Sequence, residues 1–184
     1  MSVRRFRLSS CAMWKLMVAV LFAAVGAGFA NAQEIPPPAG WHKFESAEGR
    51  FVAYFPGPPS YAPDTRSKFQ LPHPWVYTAT DGASYIAGYT DQLAGRVAKV
   101  GSDAALFDIW YLMSLDNAHQ SERRFTYGGY LAHQLRVRTP DWKFYRSRYL
   151  FVGSRLYFWA FIGSLEAVDG EDANRMLSSF VPPK

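Results

Sequence analysis

The chain has 184 residues, with 20 Lys and Arg against 15 Asp and Glu. Four of those basic residues and none of the acidic ones lie in residues 1–32, so the remainder carries 16 basic against 15 acidic side chains. A nearly neutral domain has no broad electrostatic reason to hold nucleic acid or an anionic membrane.

Residues 1–32 read as an export signal. Arg4, Arg5 and Arg7 make a basic start, and residues 16–30 form an uncharged, almost wholly apolar stretch. Ala30-Asn31-Ala32 is a small-x-small cleavage site, predicting a mature start at Gln33. The alternative is an uncleaved anchor, but the apolar run is short for a span of about 20 residues. Cys11 precedes the apolar run, where a lipidated cysteine would follow it. It is the only cysteine, so the mature part has no disulfide, no thiol nucleophile and no thiolate metal site. A single domain of this size stands on its core without disulfides. Export predicts a periplasmic or secreted protein with no stable membrane span after cleavage.

Residues 33–40 carry Pro36-Pro37-Pro38 and read as an extended spacer. The globular domain is expected over 41–184. Residues 41–45 and 50–55 alternate as two strands around the turn Ser46-Ala47-Glu48-Gly49. Phe51, Ala53 and Phe55 share one face, and Pro56, Pro58 and Pro59 end the second strand. Residues 64–69 are a weaker strand. Residues 75–80 and 83–90 form a hairpin around Asp81-Gly82. Trp75, Tyr77, Tyr85 and Tyr89 within it read mainly as core. Residues 102–118 read as a helix, with Ser102 as N-cap and Leu106, Ile109, Trp110 and Met113 at helical spacing.

A second hairpin is expected over 122–127 and 130–138, around Gly128-Gly129. The turn Thr139-Pro140-Asp141-Trp142 leads into residues 143–152, and Gly153-Ser154 turns the chain into residues 155–164. A short helix over 171–179 closes the chain, with Glu171 and Asp172 in its first turn. Sequential hairpins with two separated helices predict an α+β fold with a mostly antiparallel sheet. Several strands are apolar on both sides, so both faces of the sheet should be covered.

Residues 44–59 read F-x-S-x-E-G-x-F-x-x-x-F-P-G-x-P. Later come Arg146-Ser147-Arg148, the turn Val152-Gly153-Ser154, Arg155-Leu156-Tyr157, and the closing Arg175-Met176-Leu177-Ser178-Ser179-Phe180. In this order the motifs resemble the PsbP-like superfamily, over nearly all of the mature chain. The resemblance implies an α/β/α sandwich around an antiparallel sheet with two main helices. The understood members, a photosystem II extrinsic subunit and a Ran-binding import factor, act by binding proteins. No catalytic residue comes with the match, and fold analogy warrants function weakly.

The residues themselves point to no cofactor. His42, His73, His119 and His133 have no local metal-ligand spacing. There is no G-x-S-x-G elbow, no glycine-rich phosphate loop and no EF-hand pattern at Asp169-Gly170-Glu171-Asp172. A hydrolase with a dispersed site around His133 remains a third reading. The stretch richest in chemistry is 142–161. If Gly153-Ser154 is a two-residue turn, Arg148 faces Trp159, Arg146 faces Phe161 and Leu150 faces Tyr157. If Pro140-Asp141 is one too, His133 faces Arg148 and joins the same side, with Arg136, Arg138 and Lys143 on the other. Arg146, Arg148, Trp159, Tyr157 and His133 are therefore the candidate binding residues. Arginines between aromatic rings can offer forked donors to an anion, or form an internal cation–π cluster. The expected function is a non-enzymatic binding or assembly module for a cell-envelope protein. The rival is a small-ligand binder for an anionic or aromatic molecule on this Arg–aromatic face.

Overall fold

The computed structural model describes residues 39–61, 75–115 and 117–184, without the side chains of Trp75, His119 and Gln120. The expected signal, most of the spacer, the strand over 64–69 and His73 lie outside the described residues.

Strands β1 (His42–Ser46) and β2 (Phe51–Phe55) form an antiparallel hairpin. Strands β3 (Ser60–Tyr61), β4 (Trp75–Thr80), β5 (Ala83–Thr90), β6 (Ala118–Tyr127), β7 (Tyr130–Arg138), β8 (Phe144–Val152) and β9 (Arg155–Gly163) build one antiparallel sheet, in the order β3-β4-β5-β9-β8-β7-β6. Helix α1 (Ala94–Leu115) precedes β6, and helix α2 (Glu171–Ser179) follows a single 3₁₀ turn (Ala167–Asp169). The expected α+β sandwich is the fold observed.

The sheet is buried on both sides because its central strand is apolar at every position but its first. In β9, Tyr157, Trp159 and Phe161 point to one side and Leu156 and Phe158 to the other. On the first side lie the β1–β2 hairpin and α2. Phe51, Phe55, Met176, Leu177 and Phe180 pack there against Tyr85, Tyr157, Trp159 and Phe161. On the second, Ala105, Leu106, Ile109 and Met113 of α1 pack against Leu135, Val137, Tyr149, Phe151, Leu156 and Phe158.

Helix α1 starts eight residues before the expected Ser102. Gly95, Val97, Val100 and Gly101 weaken the helical signal of its first segment. Gly101 breaks the helix with φ 82 and ψ 164, so Ser102 does begin a new segment. Arg96 ties the first segment to the second through two bonds to Asp108, of 2.6 and 3.2 Å.

The hairpin turn at Asp81 (φ 50) and Gly82 (φ 77) has the left-handed pair that a type I′ turn demands. The β1–β2 turn is held from below. Tyr157 Oη donates to the Gly49 carbonyl (2.8 Å), and Arg155 Nη1 donates to the Glu48 carbonyl (2.7 Å). A Cβ added to Gly49 would come within 2.7 Å of Ser46, Phe51 and Tyr89 side-chain atoms. Gly49→Ala is therefore expected to destabilise the fold by about 1–3 kcal/mol through overpacking, measured as a lowered urea midpoint. An unchanged midpoint would contradict this packing.

Candidate functional site

The β8–β9 turn forms as the sequence implies. Val152 pairs with Arg155, Leu150 with Tyr157, Arg148 with Trp159 and Arg146 with Phe161. The β7–β8 connection does not. Arg138 pairs with Phe144, so the loop is residues 139–143 rather than a two-residue turn. Thr139 closes it: its N–H donates to the Lys143 carbonyl (2.9 Å), and its hydroxyl accepts the Lys143 N–H (3.1 Å). The register shifts by one residue, and a shift of one moves a strand's side chains to the opposite face. Gln134 stands opposite Arg148, and Arg136 opposite Arg146. His133 instead pairs with Tyr149 and points to the α1 side, away from Arg148. Arg136 and Arg138 correspondingly join the face of Arg146 and Arg148, against expectation.

Arg146, Arg148, Tyr157 and Trp159 thus share one face, and α2 lies over it. The carbonyl of Leu177, in the last turn of α2, accepts two bonds, from Arg148 Nη1 (2.6 Å) and from Trp159 Nε1 (3.0 Å). Arg148 Nε donates to Gln134 Oε1 (3.0 Å), and its guanidinium lies 4.9 Å from the Phe125 ring centroid and 5.5 Å from that of Tyr127. Arg146 Nη1 donates to Asn174 Oδ1 (2.7 Å). Arg136 Nη1 donates to Asp169 Oδ2 (2.6 Å). Trp159 is fully buried and stacks on Phe180, with centroids 4.2 Å apart and planes 6° apart. Burial lowers the Arg148 guanidinium from its ordinary value and pushes the Tyr127 phenol up to about 12. Tyr127 Oη donates to the Phe180 carbonyl (2.6 Å), fixing the chain just past α2.

Hollow space lies elsewhere. A cleft of about 330 Å³ is walled by Phe44, Phe51, Tyr61 and Val76, and a shallower one of about 520 Å³ runs between the β1–β2 turn and residues 181–184. Neither is lined by Arg146, Arg148 or Trp159. Among the described residues no three His, Cys, Asp or Glu side chains are grouped to hold a metal ion.

His133 is only 1% exposed. Its Nδ1 lies 3.5 Å from Glu122 and its Nε2 3.7 Å from Asp103, too far for hydrogen bonds. Arg124 spans the same two carboxylates. Burial lowers the imidazole below its ordinary 6.5, Arg124 adds to this, and Glu122 and Asp103 oppose it.

A further group of residues escaped the sequence reading. The pairs Ala118 with Arg138, Arg138 with Phe144, and Phe144 with Gly163 align one end of four adjacent strands. Helix α1 finishes there, three residues before Ala118. At this end Tyr111, Leu112, Leu115, Trp142 and Leu165 are all at least half exposed, with Leu115 at 60% and Trp142 at 70%. The signal was present in 102–115, where Phe107, Tyr111, Leu112 and Leu115 fall outside the inward stripe. The last turns of the helix thus carry apolar side chains outside the stripe that an amphipathic surface helix needs to bury.

Comparison with protein-family models returns no match, and neither does comparison with curated proteins. Solved structures do match. The solution structure of cyanobacterial PsbP (CyanoP) from Synechocystis sp. PCC 6803 superposes with a TM-score of 0.53 at 9% identity, covering 84% of this chain and 97% of that one. The fold is PsbP-like. A crystal structure of a protein of unknown function from Pseudomonas aeruginosa gives a TM-score of 0.46 at 8% identity, covering 78% of this chain and 98% of that one. At 9% identity the likeness to the cyanobacterial protein concerns the fold alone. No described helix is long and apolar enough to cross a membrane.

Two outcomes follow from the PsbP-like core. Arg148→Ala removes two bonds and the packing of a half-buried stem, and should cost about 2 kcal/mol. Amide exchange should then quicken first in α2, and uniform exchange would contradict the clasp. For His133, a folded pKa below the unfolded one means stability is complete above about pH 6.5 and falls as the pH drops from there through the folded value. His133→Gln should flatten that part of a stability–pH profile, and an unchanged slope would remove His133 as its source.

Proposed function

We propose that the chain is an exported, non-enzymatic binding or assembly module. Its partner is a protein of the cell envelope, which docks where α1 ends and β7 turns into β8. The observation that carries this reading is the exposure of Tyr111, Leu112 and Leu115 on α1, of Trp142 in the β7–β8 loop and of Leu165 after β9, on segments that meet at that end of the sheet. Singly exposed apolar side chains are ordinary, but several on segments that converge at one end give a reason to place the interaction there. Aromatic residues and arginine, both present here, are enriched in protein interfaces.

The bonds of the Arg–aromatic face support the same reading from the other side. Arg146 and Arg148 point their guanidinium groups at Asn174 and the Leu177 carbonyl. A small anion would have to compete with α2 for them. These side chains therefore serve as the frame that holds α2 against the sheet.

Leu112→Asp combined with Leu115→Asp tests the assignment, because both side chains are exposed and the fold should survive. Immobilised wild-type chain should retain a specific protein from periplasmic extract. The double variant, with an unchanged melting temperature, should retain about ten-fold less or lower. Equal retention would move the interface elsewhere. No protein enriched by the wild type above a control would remove the binding role itself.

A further inference from the structure

Trp142 has a backbone φ of 60°, in the left-handed region that bulky residues rarely occupy. The loop around it is braced. Trp142 N–H donates to the Thr139 carbonyl (3.1 Å), and the Thr139 hydroxyl donates to Asp141 while accepting the Lys143 N–H. Glycine or asparagine would suit this backbone at lower cost. The indole gives the fold little in return. It is 70% exposed, and the Arg138 guanidinium lies 4.1 Å from its ring centroid. A strained, braced, outward aromatic is a feature whose use lies outside the fold.

We infer that Trp142, stacked on Arg138, is the anchor of the docking end, and that it enters an apolar pocket edged by carboxylates on the partner protein. This rests on the binding role proposed above. Charge supplies the chemistry of the rim. Arg136 is already paired with Asp169, whereas Arg138 and the exposed Lys143 flank the indole. Asp141 is held by Thr139 within the loop. A cation beside a buried tryptophan calls for an anion across the interface, and Trp and Arg are the side chains that most often dominate binding energy.

The test places a photoreactive benzophenone amino acid at position 142, at Leu112 on the same end, or at Leu131 near the Gly128-Gly129 turn at the opposite end. The full chain is used, in the cells that make it. A crosslink from 142 to a protein segment with apolar residues beside Asp or Glu, lost on Arg138→Glu, supports the anchor. With that partner purified, Trp142→Gly should bind about 30-fold or more weakly while melting at the same or a higher temperature, since glycine relieves the backbone. A lower melting temperature with unchanged affinity would make Trp142 structural and overturn the inference. Crosslinks from 112 but not 142 would overturn the anchor and leave the docking end standing. Crosslinks from 131 alone would overturn the docking end as well. Absence of crosslinks from all three positions would overturn the binding role too. Crosslinks from 142 to lipid or to a second copy of the chain would also overturn the inference.

Discussion

Helix α2 is clasped to the sheet through a single carbonyl. The oxygen of Leu177 accepts from Arg148 and from Trp159, donors on adjacent strands β8 and β9. Helix α2 has nine residues, too few to hold itself together in water. It persists because its apolar side, Ala173, Met176 and Leu177, is pressed onto the sheet and its last turn is bonded there. Phe180, just beyond, stacks on Trp159 and on Phe51, so the clasp also ties the β1–β2 hairpin to the sheet. A hydrogen bond to a charged donor in a shielded place is worth more than an exposed one, and an arginine buried here without that partner would be costly.

That clasp changes what the arginine-rich strands mean. Seen as a strand pair, Arg146 and Arg148 between Tyr157, Trp159 and Phe161 suit an internal cluster as well as an anion. The fold uses them for the helix. Their donors meet Asn174 and the Leu177 carbonyl, and the rings of Phe125 and Tyr127 lie under the Arg148 guanidinium. The interior therefore absorbs the polar chemistry that the sequence advertises. On the surface, Trp142 is the most exposed of the large apolar side chains among the described residues, in a loop that holds it at a φ of 60°.

Much of the architecture was legible because local chemistry decides it. Asp81-Gly82 and Gly153-Ser154 set turns and registers that hold to the residue, and Glu171 and Asp172 mark the start of α2. The β7–β8 loop was not legible, because Pro140-Asp141 can make a short turn as readily as a wide one. The choice falls to the Thr139 side chain bonding Lys143, and with it His133 changes faces. The first segment of α1 was hidden by its glycines and valines, since contacts made by Leu93 and Val97 outweigh propensity. Which face α2 covers is a tertiary fact that no spacing in β8 or β9 could disclose.

In the function proposed above, the Arg–aromatic face is internal frame and the exposed apolar end is the working surface. Oxidative footprinting inside living cells, compared with the purified chain, tests it most directly. Trp142, Leu112, Leu115 and Leu165 should react readily in the purified chain and be protected in cells, while Trp159 and Tyr157 should stay unreactive in both. Equal labelling of that end in both settings would remove it as the working surface, and strong labelling of Trp159 in the purified chain would show that the Arg–aromatic face is open.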